Sequence, residues 1–137
     1  MYRMGQEEKD AVARVIDSKQ LFKVNNGPLK ETENCEREIR EMFGVKRAVL
    51  MTSGTASLTS ALIGMGVGPG DEVIIPAYTY IATALAVVST GAMPVVAEID
   101  ETLMLDPLDI ENKITQRTKV ILPVHMMGYP CDMERIM

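Results

Sequence analysis

Apolar positions recur at helical spacing through the first 43 residues and then gather into short continuous runs. Between Glu7 and Ser18, the residues Ala11, Val12, Val15 and Ile16 fall on one side of a 3.6-residue repeat, which predicts a helix. Leu21 to Pro28 reads as extended, with a turn signal at Asn25-Asn26-Gly27-Pro28. A second helix is predicted over Glu31–Phe43, with Cys35, Ile39, Met42 and Phe43 inward and Gly44 as its stop. Glu36 and Arg40, and Arg37 and Glu41, stand four apart on its solvent side.

From Arg47 onward strands and helices alternate. Strands are predicted over Arg47–Thr52, Glu72–Ile75, Pro94–Ile99 and Val120–Val124. Between them lie helices over Thr55–Met65 (Leu58, Ala61, Leu62 and Met65 inward) and Thr79–Ser89 (Ile81, Ala84, Leu85 and Val88 inward). A shorter helix, Leu108–Ile114, follows Pro107 and an Asp106 cap, and Asp132 caps a last one. Alternation with near-continuous apolar strands predicts an α/β fold with a mainly parallel sheet flanked by helices on both faces. In such sheets ligands bind beyond the carboxyl ends of the strands. That rule groups three loops: Ser53-Gly54-Thr55, Ala77-Tyr78-Thr79-Tyr80, and His125-Met126-Met127-Gly128-Tyr129.

Composition narrows the partners. With 137 residues the chain is one domain or part of one. The formal charge of −5, with no run of Lys or Arg, argues against nucleic acid or an anionic membrane surface. No apolar run is long enough to span a bilayer, and Met1–Glu8 leads into a charged helix rather than a signal-peptide core. Cys35 and Cys131 match no metal spacing and read as free thiols of a cytoplasmic protein. The eleven Met residues read as fillers of irregular core space.

The first loop carries the clearest chemistry. A strand turning through small residues into a helix leaves N–H groups unpaired at the positive end of the helix dipole, where a phosphate fits. No Walker motif occurs, and Gly64-Met65-Gly66-Val67-Gly68 ends a helix rather than joining strand to helix, so it is no dinucleotide fingerprint. Tyr78 and Tyr80 offer rings that could cover a flat heteroaromatic ligand. His125 is the only histidine, and no metal cluster or catalytic triad is expected around it. Asp71, Glu72, Asp100 and Glu101 read as solvated turns.

Four motifs, taken in order, resemble the DegT/DnrJ/StrS family of sugar aminotransferases. They are Thr52-Ser53-Gly54-Thr55-Ala56, the stretch Gly68–Thr83, Gly91-Ala92-Met93-Pro94-Val95, and Thr118–Gly128. The resemblance implies a type I aminotransferase fold that uses pyridoxal 5′-phosphate (PLP). It divides the chain into an N-terminal helix and extended arm, 1–30, and the first part of a PLP-binding large domain, 31–137. It places Gly54, Thr55 and Ala56 on the PLP phosphate and Tyr80 on the pyridine ring. It brings Gly27 and Pro28 near the sugar substrate and sets His125 at a position where the family often has His. A nucleotide-linked ketosugar, an amino-acid donor (glutamate) and a homodimer complete the expectation.

The same resemblance calls for a lysine that forms an imine with PLP and an aspartate paired with the pyridine nitrogen. Both are expected beyond Met137. None of the seven lysines (Lys9, Lys19, Lys23, Lys30, Lys46, Lys113, Lys119) stands in the family's Ser-x-x-x-x-Lys context. The chain therefore reads as the N-terminal portion of a larger enzyme, inactive alone. A PLP-dependent sugar dehydratase of the same family is one alternative. A non-catalytic phosphate-binding or dimerising module is another.

Overall fold

The computed structural model describes residues 4–23 and 27–137. The turn read at Asn25-Asn26 lies outside them. The chain divides into two compact units, Met1–Leu50 and Met51–Met137.

The first unit holds two helices, α1 (Gln6–Ser18) and α2 (Glu31–Phe43). Glu8 accepts the Gly5 N–H at 2.6 Å and so satisfies one orphan donor at the start of α1. Gly44 ends α2 in the left-handed region (φ 63°), as its position predicted, and its N–H bonds back to the Arg40 carbonyl. Neither helix contains a buried residue, and the expected inward positions Val12, Ile16, Met42 and Phe43 are exposed. The tie within this unit is polar. Glu36 accepts Lys23 Nζ at 2.5 Å and the Leu50 N–H at 2.8 Å.

The Lys23 hydrogen bond, followed by the Leu50 N–H, holds the Glu36 carboxyl below the ordinary glutamate range. A lowered folded-state pKa means stability that is present above the unfolded value and lost as pH falls through the folded one. Acidification below the usual glutamate range should therefore release Lys23 and the Leu50 amide. The Leu50 amide nitrogen shift should follow that titration, and Glu36→Gln should abolish it. A Leu50 signal that ignores acid pH would refute the tie.

The second unit is the α/β body. A three-stranded, all-parallel sheet has the order β2–β1–β3, with β1 Glu72–Pro76, β2 Met93–Ala97 and β3 Thr118–Ile121. Every residue of the central strand β1 is buried. Its side chains alternate between two cores. Val73 and Ile75 meet Leu62, Ala86 and Val87 on one face, while Ile74 meets Ala97, Leu105 and Ile110 on the other. The first face is covered by α3 (Gly54–Gly64) and α4 (Ala82–Val88), the second by α5 (Pro107–Lys113) and α6 (Met133–Ile136). The expected doubly covered parallel sheet is present. Asp106 accepts the Leu108 N–H at 2.9 Å as the α5 cap, with Pro107 following, and Asp132 caps α6.

As in α1 and α2, expected inward positions of α3, Ala61 and Met65, are exposed. Three further expectations fail. Arg47–Thr52 is not a strand: among the described residues no neighbouring strand offers it a ladder, and Val49 and Met51 are exposed. Propensity without a partner does not make a strand. In α4 the buried residues are Thr83, Ala86 and Val87, whereas Ile81, Leu85 and Val88 face out. The small Ala86 on the inner face lets the helix approach the sheet closely.

The third correction is Glu72, which is not in a solvated turn. Its side chain is 7% exposed, pairs with Arg117 at 2.5 Å and accepts the Thr115 hydroxyl at 2.5 Å. Asp71 alone keeps the turn role, accepting the Gly68 N–H at 3.0 Å. The Arg117 head is 70% exposed, so the pair is asymmetric. Arg117→Ala leaves a buried carboxylate with one hydroxyl donor and should cost about 1–3 kcal/mol. Glu72→Leu frees an arginine already in water and should cost less. Denaturant unfolding of both variants decides the order, and the reverse order would refute the asymmetry.

Candidate cofactor site

The site is assembled at the carboxyl edge of the sheet. Strand β1 ends at Pro76 and releases Ala77–Ile81 into α4, and β3 ends at Ile121 and leads to a short 3₁₀ turn, Met126–Gly128. All three strands are parallel, so these loops leave the same edge. The start of α3 reaches that edge from the other direction. Its carboxyl end leads through Gly66–Asp71 into the start of β1, so the helix runs antiparallel to the strand. Eleven helical residues rise about 16 Å and five strand residues about 17 Å. A helix of that length is long enough to bring Gly54 to the level of Pro76.

At that helix start Ser53 is the cap. Its Oγ accepts the Ala56 N–H at 3.1 Å, and its carbonyl accepts both the Ser57 N–H (3.0 Å) and the Ser57 hydroxyl (3.1 Å). Among the described residues the N–H groups of Gly54 and Thr55 have no acceptor, nor does the Thr55 hydroxyl have a partner. Ala56, grouped with them from sequence, already donates to Ser53. Gly54 needs its glycine neither for a left-handed backbone nor for packing, because a Cβ there would meet nothing within 4 Å. Its missing side chain keeps the approach to two free amides open.

Tyr80 lies on the loop between β1 and α4 with 73% of its surface exposed, and its hydroxyl makes no hydrogen bond among the described residues. The Tyr80 carbonyl accepts the Thr83 N–H at 2.9 Å. Tyr78 instead joins Leu103, Met104, Met126, Met127 and Tyr129 around an apolar hollow of about 400 Å³. His125 is exposed, and its Nδ1 accepts the Cys131 N–H at 3.0 Å. That bond fixes the neutral tautomer with the proton on Nε2 and closes the 125–131 turn. The Cys131 thiol donates to the Val124 carbonyl at 3.2 Å. Nothing in the sequence pattern signalled this pairing, because it uses a main-chain donor six residues away. Gly27 and Pro28 belong to the first unit, where a Cβ on Gly27 would overlap the Gln20 amide.

Among the described residues no group of three or more His, Cys, Asp or Glu could hold a metal ion, and no helix is long and apolar enough to cross a membrane. A second hollow, about 190 Å³ beside Glu72 and Arg117, lies at the opposite, amino edge of the sheet.

The model of the DegT/DnrJ/EryC1/StrS aminotransferase family matches residues 2–137. The chain belongs to this family. It is 43% identical over 135 residues to the spore coat polysaccharide biosynthesis protein SpsC of Bacillus subtilis, covering 98% of this chain and 33% of SpsC. It is 47% identical over 131 residues to the dTDP-3-amino-3,4,6-trideoxy-alpha-D-glucose transaminase of Streptomyces venezuelae, covering 95% of this chain and 33% of that protein. The solved PLP form of Spr1654 from Streptococcus pneumoniae superposes with a TM-score of 0.83 at 35% identity, covering 98% of this chain and 33% of that one. The same protein is known in a PMP form. The chain thus spans about one third of the length of these relatives.

The fold described above matches the corresponding part of solved members of this family, and PLP is the family's cofactor. The residues present fit its phosphate: two free amides, a free hydroxyl and an open approach at one helix end.

Proposed function

We propose that these residues form the N-terminal third of a PLP-dependent aminotransferase that moves an amino group from glutamate to a nucleotide-linked ketosugar. Residues 31–137 would be the start of its PLP-binding large domain and residues 1–30 its N-terminal arm. The observation that carries the reading is the open start of α3, where Gly54 and Thr55 present unpartnered amides at the edge that also bears the exposed Tyr80. The Streptomyces venezuelae relative, a transaminase named for a dTDP-sugar, supports the substrate class.

PLP, when bound, supplies the electron sink that amino-group transfer requires. This chain's residues do the holding. The Gly54 and Thr55 amides and the Thr55 hydroxyl would take the phosphate, with Ala56 fixing the turn through Ser53. The Tyr80 ring would lie against the pyridine ring and shield that face from water. His125, with its proton held on Nε2, would offer a donor toward the sugar; a substrate role for Gly27 and Pro28 belongs to the proposal for the complete protein. The imine-forming lysine, the aspartate on the pyridine nitrogen, a homodimeric assembly and a cytoplasmic location belong to the proposal for the complete protein.

The complete protein, incubated with PLP, glutamate and a dTDP-linked ketosugar, should release 2-oxoglutarate in step with amino-sugar formation. The 137 residues alone should do neither. Two or three charged hydrogen bonds of about 1.5–3 kcal/mol each and one stacked ring, set against the ~4 kcal/mol or more lost on association, leave roughly 4 kcal/mol or less. The isolated polypeptide should therefore bind PLP with a Kd of about 1 mM or weaker. A yellow PLP adduct of the isolated polypeptide that borohydride fixes would overturn this reading.

A further inference from the structure

Thr83 is a polar residue on an apolar face. It stands at i, i+3, i+4 spacing with Ala86 and Val87, all three buried against the sheet. Packing alone would take valine there equally well. What valine would lack is the hydroxyl, which lies 2.8 Å from the hydroxyl of Thr79. Thr79 is the residue before Tyr80, and the Thr83 N–H also bonds the Tyr80 carbonyl at 2.9 Å. One buried residue thus grips Tyr80 from both sides, through its neighbour's side chain and through its own backbone. The ring itself is mostly exposed, and its hydroxyl makes no hydrogen bond among the described residues.

We infer that Thr83 is a positioning residue: with Thr79 it holds the Tyr80 backbone so that the ring is already set as a platform for a flat heteroaromatic ligand. The inference rests on the reading that Tyr80 lies over the PLP ring. A platform ordered before binding spares the ligand the entropy of ordering it. The pair does no chemistry and touches no reacting atom.

The test uses the complete protein with its PLP removed and added back, read by equilibrium titration, by visible circular dichroism of the bound cofactor, and by melting of the cofactor-free form. Thr83→Val should weaken PLP binding about 3–10-fold, the loss of one hydrogen bond, and reduce the cofactor's dichroism. Thr83→Ser should restore both to within about twofold. Thr79→Val, at a less buried position, should reproduce the Thr83→Val effect, and the double variant should add little to either single one, as expected of partners in one bond. If Thr83→Val and Thr79→Val bind PLP as the parent does while Tyr80→Ala binds it more weakly, the positioning role is wrong and the site reading stands. If Tyr80→Ala leaves PLP affinity unchanged, the site reading itself fails. If Thr83→Ser fails to rescue, or binding and dichroism fall only in proportion to a lower melting point, Thr83 is structural and the inference is overturned.

Discussion

Gly54→Asp should raise the stability of the cofactor-free protein and at the same time destroy its hold on PLP. Gly54 is the first residue of α3, directly after the Ser53 cap, and its backbone is not left-handed. Glycine is a poor helix former, and an acidic side chain in a first turn complements the helix dipole, so the gain should be about 1 kcal/mol. Space is available, since a Cβ there would meet nothing within 4 Å. The same carboxylate would stand a few ångströms from the phosphate dianion. At an effective dielectric of about 40, repulsion across ~5 Å is about 3 kcal/mol, or roughly 100-fold in affinity. Melting of the cofactor-free protein and PLP titration should therefore move in opposite directions. A variant that binds PLP normally would remove the phosphate from this helix end. A variant that merely unfolds would show that Gly54 is a structural glycine.

Ile74→Ala should give the largest loss of stability in the α/β unit. Ile74 is fully buried in the central strand, pairs in register with Val95 and Ile121, and packs with Ala97, Leu105 and Ile110. Its carbonyl also accepts the Leu122 N–H at 2.8 Å. Removing three carbons at such a site costs about 2–5 kcal/mol through lost burial and an unfilled cavity. Against a total stability of about 5–15 kcal/mol that is severe. Both loops that leave β1 and β3 toward the site depend on this packing. Val96→Ala, at a half-exposed position on β2, should stay within about 0.5 kcal/mol. Urea midpoints for the two variants check the ranking, and equal effects would refute the two-core description of the sheet.

The chain's own pattern carried a large part of this picture. The change from helical spacing to short apolar runs near Arg47 indicated a parallel α/β body, because strands buried on both faces leave no polar alternation. Asp106-Pro107, Asp132 and Gly44 announced helix ends, since capping chemistry is local and reads from a few neighbouring residues. The small residues Ser53-Gly54-Thr55 marked the helix start that stays open, for the same reason.

Other features formed only when distant segments met. Which face of α4 turned inward was decided by the sheet beneath it, which took Thr83, Ala86 and Val87 and left Ile81, Leu85 and Val88 outside. Arg47–Thr52 has the residues of a strand but no ladder partner among the described residues, and ladder hydrogen bonds are never a property of one segment. Glu72 looked like half of a solvated turn until the turn before β3 brought Thr115, 43 residues away, and Arg117 to its carboxylate. The bond from Cys131 to His125 joins a side chain to a main-chain donor, which no residue pattern encodes. Local sequence sets periodicity, caps and turns because those depend on neighbours along the chain. Burial, pairing and ring placement depend on neighbours in space, and only the packed structure supplies them.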